Sequence, residues 1–161
     1  FNCPSPSCFC YDLAMDTTGI IVGLDIGEAR TGIARSDALQ MLAFPVSVVR
    51  GKNEDEMVRE VSAAIKALSP VRVVAGLPLN QHGEPGAQAR RVLAMIERLK
   101  EATGLPFVTQ DERFSTAEAN RVARDMETGG KKRKGKVDKI AATLILQTWL
   151  DREAALRRQQ P

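Results

Sequence analysis

The chain reads as one α/β domain built on a mixed sheet, and its pattern of runs predicts this. Three strand-like runs crowd together before any helical stripe, and then helices and strands alternate. A length of 161 residues with 43% hydrophobic content suits one globular core. Residues 19–26, "GIIVGLDI", form the first run, and "RTGIARSD" (30–37) follows after the short "GEA" turn, which predicts a hairpin. "FPVSVV" (44–49) is the third. "NEDEMVREVSAAIKAL" predicts a helix capped by Asn53 with Glu56 three residues on, its stripe being Met57, Val61, Ala64, Ile65 and Leu68. "VRVVAGLP" (71–78) is a continuous apolar run, as a buried central strand requires. Pro85 is expected to open the next helix, with Val92, Leu93, Ile96 and Leu99 inward and Gly104 as its stop. "LPFVTQDE" (105–112) is the last strand. Ser115 and Glu118 form a capping box for a short helix. A Gly/Lys-rich loop (129–136) is expected to lead into a final helix from about Val137 to Leu156. No internal repeat or second domain is visible.

Composition removes several classes. Aromatic residues are 4% of the chain, too few for a base-stacking platform. No apolar run reaches the roughly 20 residues of a membrane span. The net charge is +3, but "KKRKGK" (131–136) holds five positive charges, leaving −2 for the rest. Cys3, Cys8 and Cys10 all precede Met15, at a spacing that fits no common zinc motif, and an odd count argues against a closed disulfide set. Residues 1–14 are neither a signal nor a transit peptide, and are expected to be a disordered leader. Residues 15–156 form the expected domain, 157–161 the C-terminal tail, and a body free of cysteine suits the cytoplasm.

Three acids stand out. Asp25 interrupts an otherwise apolar strand, and a buried carboxylate costs several kcal/mol without a partner, a metal or a task. Asp138 shares a helix face with Ala142 and Ile145, which must pack on the sheet; a capping or dipole role is the bland alternative. Glu112 ends the last strand, where open α/β sheets present active groups. Asp111 beside it points the other way, so only one of the pair can share a site with Asp25. A surface pairing with Arg113 is the ordinary fate of either. Acids from three elements that converge would repel one another unless cations join them. His82 is the only histidine, so no zinc set exists, and hard oxygen ligands select Mg²⁺ or Mn²⁺. Such a centre suits in-line hydrolysis of a phosphodiester.

Four stretches then carry a resemblance: "GLDIGEARTGIARSD", "VVAGLPLNQHGEPGAQA", "TQDERFSTAEA" and "KGKVDKIAATLILQTWL". In order and spacing, from about residue 19 to 151, they resemble the motifs of the YqgF/RuvX family. These RNase H-like proteins are described as Holliday-junction resolvases and pre-16S rRNA nucleases. The resemblance implies a mixed five-stranded sheet, its first three strands antiparallel, flanked by helices. It implies that Asp25, Glu112 and Asp138 are catalytic metal ligands, and that cleavage leaves 5′-phosphate and 3′-hydroxyl ends. Glu28 and Ala29 depart from the usual small or hydroxyl and basic residues of "GEART", which touches local phosphate contacts rather than the acids.

Other residues have competing readings. Asn80 could meet substrate or position Asp25, or simply serve a proline-bearing turn. Arg30 and Arg113 could hold a phosphate, or make surface ion pairs. Ser115 and Thr116 open a helix that could seat a phosphate, although the capping box also explains them. Lys131, Lys132, Arg133, Lys134 and Lys136 form either a solvated run or a clamp on nucleic-acid backbone, expected to be disordered without ligand. His82 is expected to be exposed. The expected activity is a Mg²⁺- or Mn²⁺-dependent nuclease on precursor rRNA, with a four-way DNA junction as the alternative substrate. The expected state is a monomer or weak homodimer with no membrane association. A sugar-kinase or Hsp70-type ATPase also starts with D-x-G, but needs a second such loop and two domains. A binding module that kept the fold without the chemistry would not need all three acids.

Overall fold

A computed structural model describes residues 18–112 and 131–160, with the backbone alone for 131–138. Its element order is β1 (Ile21–Ile26), β2 (Arg30–Ser36), β3 (Ala43–Arg50), α1 (Glu54–Leu68), β4 (Arg72–Leu77), α2 (Ala87–Thr103), β5 (Phe107–Asp111) and α3 (Lys131–Gln159). The strands make one five-stranded sheet in the order β3-β2-β1-β4-β5. β1–β2 and β2–β3 pair antiparallel, while β1–β4 and β4–β5 pair parallel. The expected mixed sheet is therefore present, and all five strands fall where the apolar runs put them.

Alternation along β1 divides the core in two. Val22, Leu24 and Ile26 face one side with Ile33, Val73 and Ala75, under Met57, Val61 and Ile65 of α1 and Val92, Ile96 and Leu99 of α2. Ile21 faces the other side with Ala34 and Val74, under Ala142, Ile145, Leu146 and Trp149 of α3. Two helices thus cover one face of the sheet and α3 covers the other. Truncating a fully buried member such as Ile65 to Ala would cost about 2–5 kcal/mol.

Local chemistry sets the helix ends. Asn53 Oδ1 accepts from the Glu56 amide at 2.8 Å, as the sequence predicts. Glu56 Oε2 accepts from the Lys52 amide at 2.7 Å, so the returning bond lands one residue before the cap. Gly104 closes α2 at φ 67°, a left-handed conformation that glycine adopts without strain.

Three expectations need correction. Pro85 does not open α2; it bridges Leu79 in a turn, and the helix starts after Gly86. Leu93 lies on the exposed border of α2, because four buried positions, Ala89, Val92, Ile96 and Leu99, already fill the stripe. Lys131–Lys136 are not a loop. Their backbone is the first part of α3, which also continues to Gln159, past the expected start of the tail. Lysine and arginine are good helix formers, and Gly135 costs only about 1 kcal/mol. Extending an existing helix fixes one residue per added hydrogen bond, so the segment joins the helix that follows it. The expected leader (1–14) and the short helix from Ser115 lie outside the described residues.

Candidate active site

Asp25 sits on the α3 face of β1, two residues beyond Gly23, and is only 5% exposed. Its backbone pairs with Gly32 of β2. On the other side Leu24 pairs with Ala75, so continuing the register sets Asp25 level with Gly76 of β4. Glu112, just past β5, is 2% exposed, and its amide donates to the Leu77 carbonyl at 3.2 Å. Its carboxylate lies over Gly76: a Cβ built there would overlap Glu112 Oε1 and come within 2.8 Å of Cδ. Neighbouring strands are about 4.8 Å apart. The two acids therefore share one face and one end of the sheet. Asp111 precedes Glu112 in β5 and takes the opposite face, as strand alternation requires.

Helix α3 runs antiparallel to β1 and β4. Ile145 meets Gly76, while Trp149 meets Arg72 at the start of β4, with the guanidinium 5.9 Å from the ring centroid. The Ala142 carbonyl oxygen lies 3.1 Å from the position of a Cβ at Gly23. Going back four residues along the helix rises about 6 Å. Going on two residues from Gly23 to Asp25 rises about 6.6 Å in the same direction. The backbone of residue 138 thus advances to the level of Asp25. Only glycine at position 23 lets the helix come so close, since a Cβ there would stand 2.6 Å from Leu146 Cβ.

Arg30 opens β2 at this same end, and alternation from Ala34 puts it on the α3 face with Asp25. The departure at Glu28 has a definite role: its carboxylate pairs with Arg91 of α2 at 2.7 Å, tying the β1–β2 turn to that helix. Asn80 Oδ1 accepts from the amides of His82 (3.0 Å) and Glu84 (2.9 Å), so its oxygen organises the turn before α2. His82 is exposed in that turn. Arg113, Ser115 and Thr116 lie outside the described residues. For Lys131, Lys132, Arg133, Lys134 and Lys136 the backbone is helical.

Among the described residues no three His, Cys, Asp or Glu side chains form a metal-holding group. The donor chemistry nevertheless fits a hard cation. Two largely buried carboxylates share one face and one end of the sheet, Asp25 on β1 and Glu112 reaching over β4 from the end of β5, and they offer only oxygen, the donor that a hard cation takes. Gly76 is the residue that sequence reading missed. A glycine inside a buried strand signals a close approach, and here the approach is Glu112's.

This sheet order, with acids from the first and fifth strands at one end under a long helix, is the RNase H-like architecture of nucleases and resolvases. The chain belongs to the RuvX family, described as Holliday junction resolvase, whose model matches residues 19–152. It is 41% identical over 130 residues to a protein of Anaeromyxobacter sp. (strain Fw109-5) named "Putative pre-16S rRNA nuclease", covering 81% of this chain and 95% of that one. A protein of the same name from Clostridium acetobutylicum is 38% identical over 131 residues, covering 81% and 97%. Among solved structures, Thermus thermophilus RuvC in complex with Holliday junction substrate aligns with a TM-score of 0.50 at 15% identity, over 78% of this chain and 90% of that one. That likeness concerns the fold. No helix among the described residues is long and apolar enough to cross a membrane.

Proposed function

We propose that the chain is a Mg²⁺- or Mn²⁺-dependent endonuclease that hydrolyses phosphodiester bonds of structured RNA, maturing the 5′ end of pre-16S rRNA. The observation that carries this is the placement of Asp25 and Glu112, both nearly buried, on one face and at one end of the sheet, the end towards which α3 brings residue 138. Asp25, Glu112 and Asp138 would hold the metal. A divalent ion there would activate an attacking water and stabilise the leaving oxygen. Asp25 and Glu112 would hold the ion from the α3 face of the sheet, while Arg30, on the same face, would offer a guanidinium to the scissile phosphate. Arg113, Ser115 and Thr116 follow Glu112 directly in the chain and would seat the neighbouring phosphate. Asn80 shapes the rim of the site through its turn. Lys131, Lys132, Arg133, Lys134 and Lys136 would grip the substrate backbone. The protein would act in the cytoplasm as a monomer or weak homodimer.

The relatives named for pre-16S rRNA support RNA as substrate. The description of the family model favours a four-way DNA junction, and cutting a junction symmetrically requires a dimer. One experiment separates these readings: cleavage of precursor 16S rRNA and of four-way junctions by wild type and Asp25→Asn, at the same metal and salt. The expected result is preference for precursor rRNA, and loss of all cleavage in the variant with folding and binding kept. Preference for junctions would replace the substrate. Cleavage at the wild-type rate by Asp25→Asn would overturn the site.

A further inference from the structure

We propose that Gly76 is a positioning residue that fixes where the Glu112 carboxylate lies. This rests on the reading of Glu112 as a metal ligand. Gly76 is buried in β4 and pairs with Gln110 of β5, one residue past the last β1 pair, Leu24 with Ala75, so its backbone is held within the sheet. The Glu112 backbone is held as well, by the hydrogen bond that its amide donates to the Leu77 carbonyl. Between these two fixed backbones, the carboxylate occupies the volume that a methyl at position 76 would take. Ile145 Cδ1, 2.6 Å from that same position, closes the space from the helix side. Glycine at 76 is thus a cradle for the acid, and its missing side chain defines the acid's depth beside Asp25.

The nature of the neighbours makes this separable from folding. Both groups that an alanine would meet, the Glu112 carboxylate and Ile145 Cδ1, are the far ends of flexible side chains. They can swing away, so the protein can fold with alanine there. The carboxylate would then retreat to an ordinary contact distance of ~3.5 Å from the new methyl. A misplacement of about 1 Å in a catalytic centre costs about 100-fold in rate. Gly23 is different in kind, because its close neighbours are Leu146 Cβ and the Ala142 carbonyl, which cannot swing aside. Substitution there would displace the helix instead.

The test is a double-mutant cycle on Mn²⁺ binding and on thermal stability, using the full chain as wild type, Gly76→Ala, Glu112→Ala and the double variant. Gly76→Ala is expected to weaken Mn²⁺ binding tenfold or more and to lower cleavage about 100-fold. In the Glu112→Ala background the same change is expected to weaken binding no further. Wild-type Mn²⁺ affinity in Gly76→Ala would overturn the proposal, as would an equal loss in both backgrounds. Should Gly76→Ala fail to fold, recovery of folding in the double variant supports the cradle, and continued unfolding overturns it. A wild type that binds no Mn²⁺ would defeat the metal reading instead. The stability cycle would then decide the cradle: a penalty that shrinks without Glu112 supports it, and an additive penalty overturns it.

Discussion

At the scale of single residues, carboxylates do opposite jobs at opposite ends of this sheet. Asp25 and Glu112 are buried at one end, whereas Asp37 lies at the other, after β2, and works as a turn cap. Its Oδ1 accepts from the Leu42 amide at 3.0 Å and the Met41 amide at 2.8 Å. Those bonds, Leu42's foremost, hold the Asp37 carboxyl below its ordinary value of 3.8. A folded-state value below the unfolded one means that protons bind the unfolded chain more readily. The stabilisation is therefore whole above about pH 3.8, and fades as pH falls further through the folded value. Asp37→Asn should unfold with less dependence on pH in this acid range than wild type. Melting temperatures taken from about pH 5 downwards test it, and parallel curves for the two proteins would refute the role.

At the scale of elements, legibility follows the physics of each segment. The five strands and the stripe of α1 are readable because apolar periodicity reports burial directly. Asp25 is readable for the converse reason, being a charge where burial demands none. The cradle at Gly76 is not, because its partner lies 36 positions away in the chain and only the β4–β5 register brings them together. The start of α3 reads as a loop only when mutual repulsion of five cations is weighed above their helix propensity. In the helix the cations of the first turn also oppose the positive end of the dipole, which costs about 0.3–1 kcal/mol each. A polyanion bound there would relieve both costs at once. Because the basic turns and residue 138 belong to one helix, a grip on a phosphate backbone there would move together with the placement of that acid. Replacing Lys131, Lys132, Arg133 and Lys134 with alanine should therefore weaken binding of all sequences alike and flatten its salt dependence. Each phosphate no longer gripped should reduce the magnitude of the slope by roughly 0.7–0.9. Affinity measured against salt concentration is the check, and an unchanged slope would reduce the segment to a solvated helix end.

At the scale of the whole molecule, the sheet is closed around its first strand. β1 has β2 on one side and β4 on the other, so no place beside it remains for another strand. Ile21 belongs to one described core cluster and Val22 to the other. The chain is tied just before that point: the Gly19 amide donates to the Ala38 carbonyl at 2.8 Å, and its carbonyl accepts from Gln40 Nε2 at 3.2 Å. Arg157 of α3 holds the other end of Gln40, at 3.2 Å, so the entry to β1 is locked from the far helix. Ala38, Gln40 and Arg157 thus order the entry to β1. Removing residues 1–14 should leave the melting temperature and cleavage activity unchanged. Between β2 and β3 and at the start of β3, Leu39, Met41, Leu42 and Phe44 expose apolar side chains. Cover over those four would bury enough area to matter, at about 25 cal/mol per Å². Thermal denaturation of the shortened and full chains decides it. A drop of several degrees on shortening would mean that residues 1–14 contribute to the fold, and would make that apolar surface the first place to look for their contact.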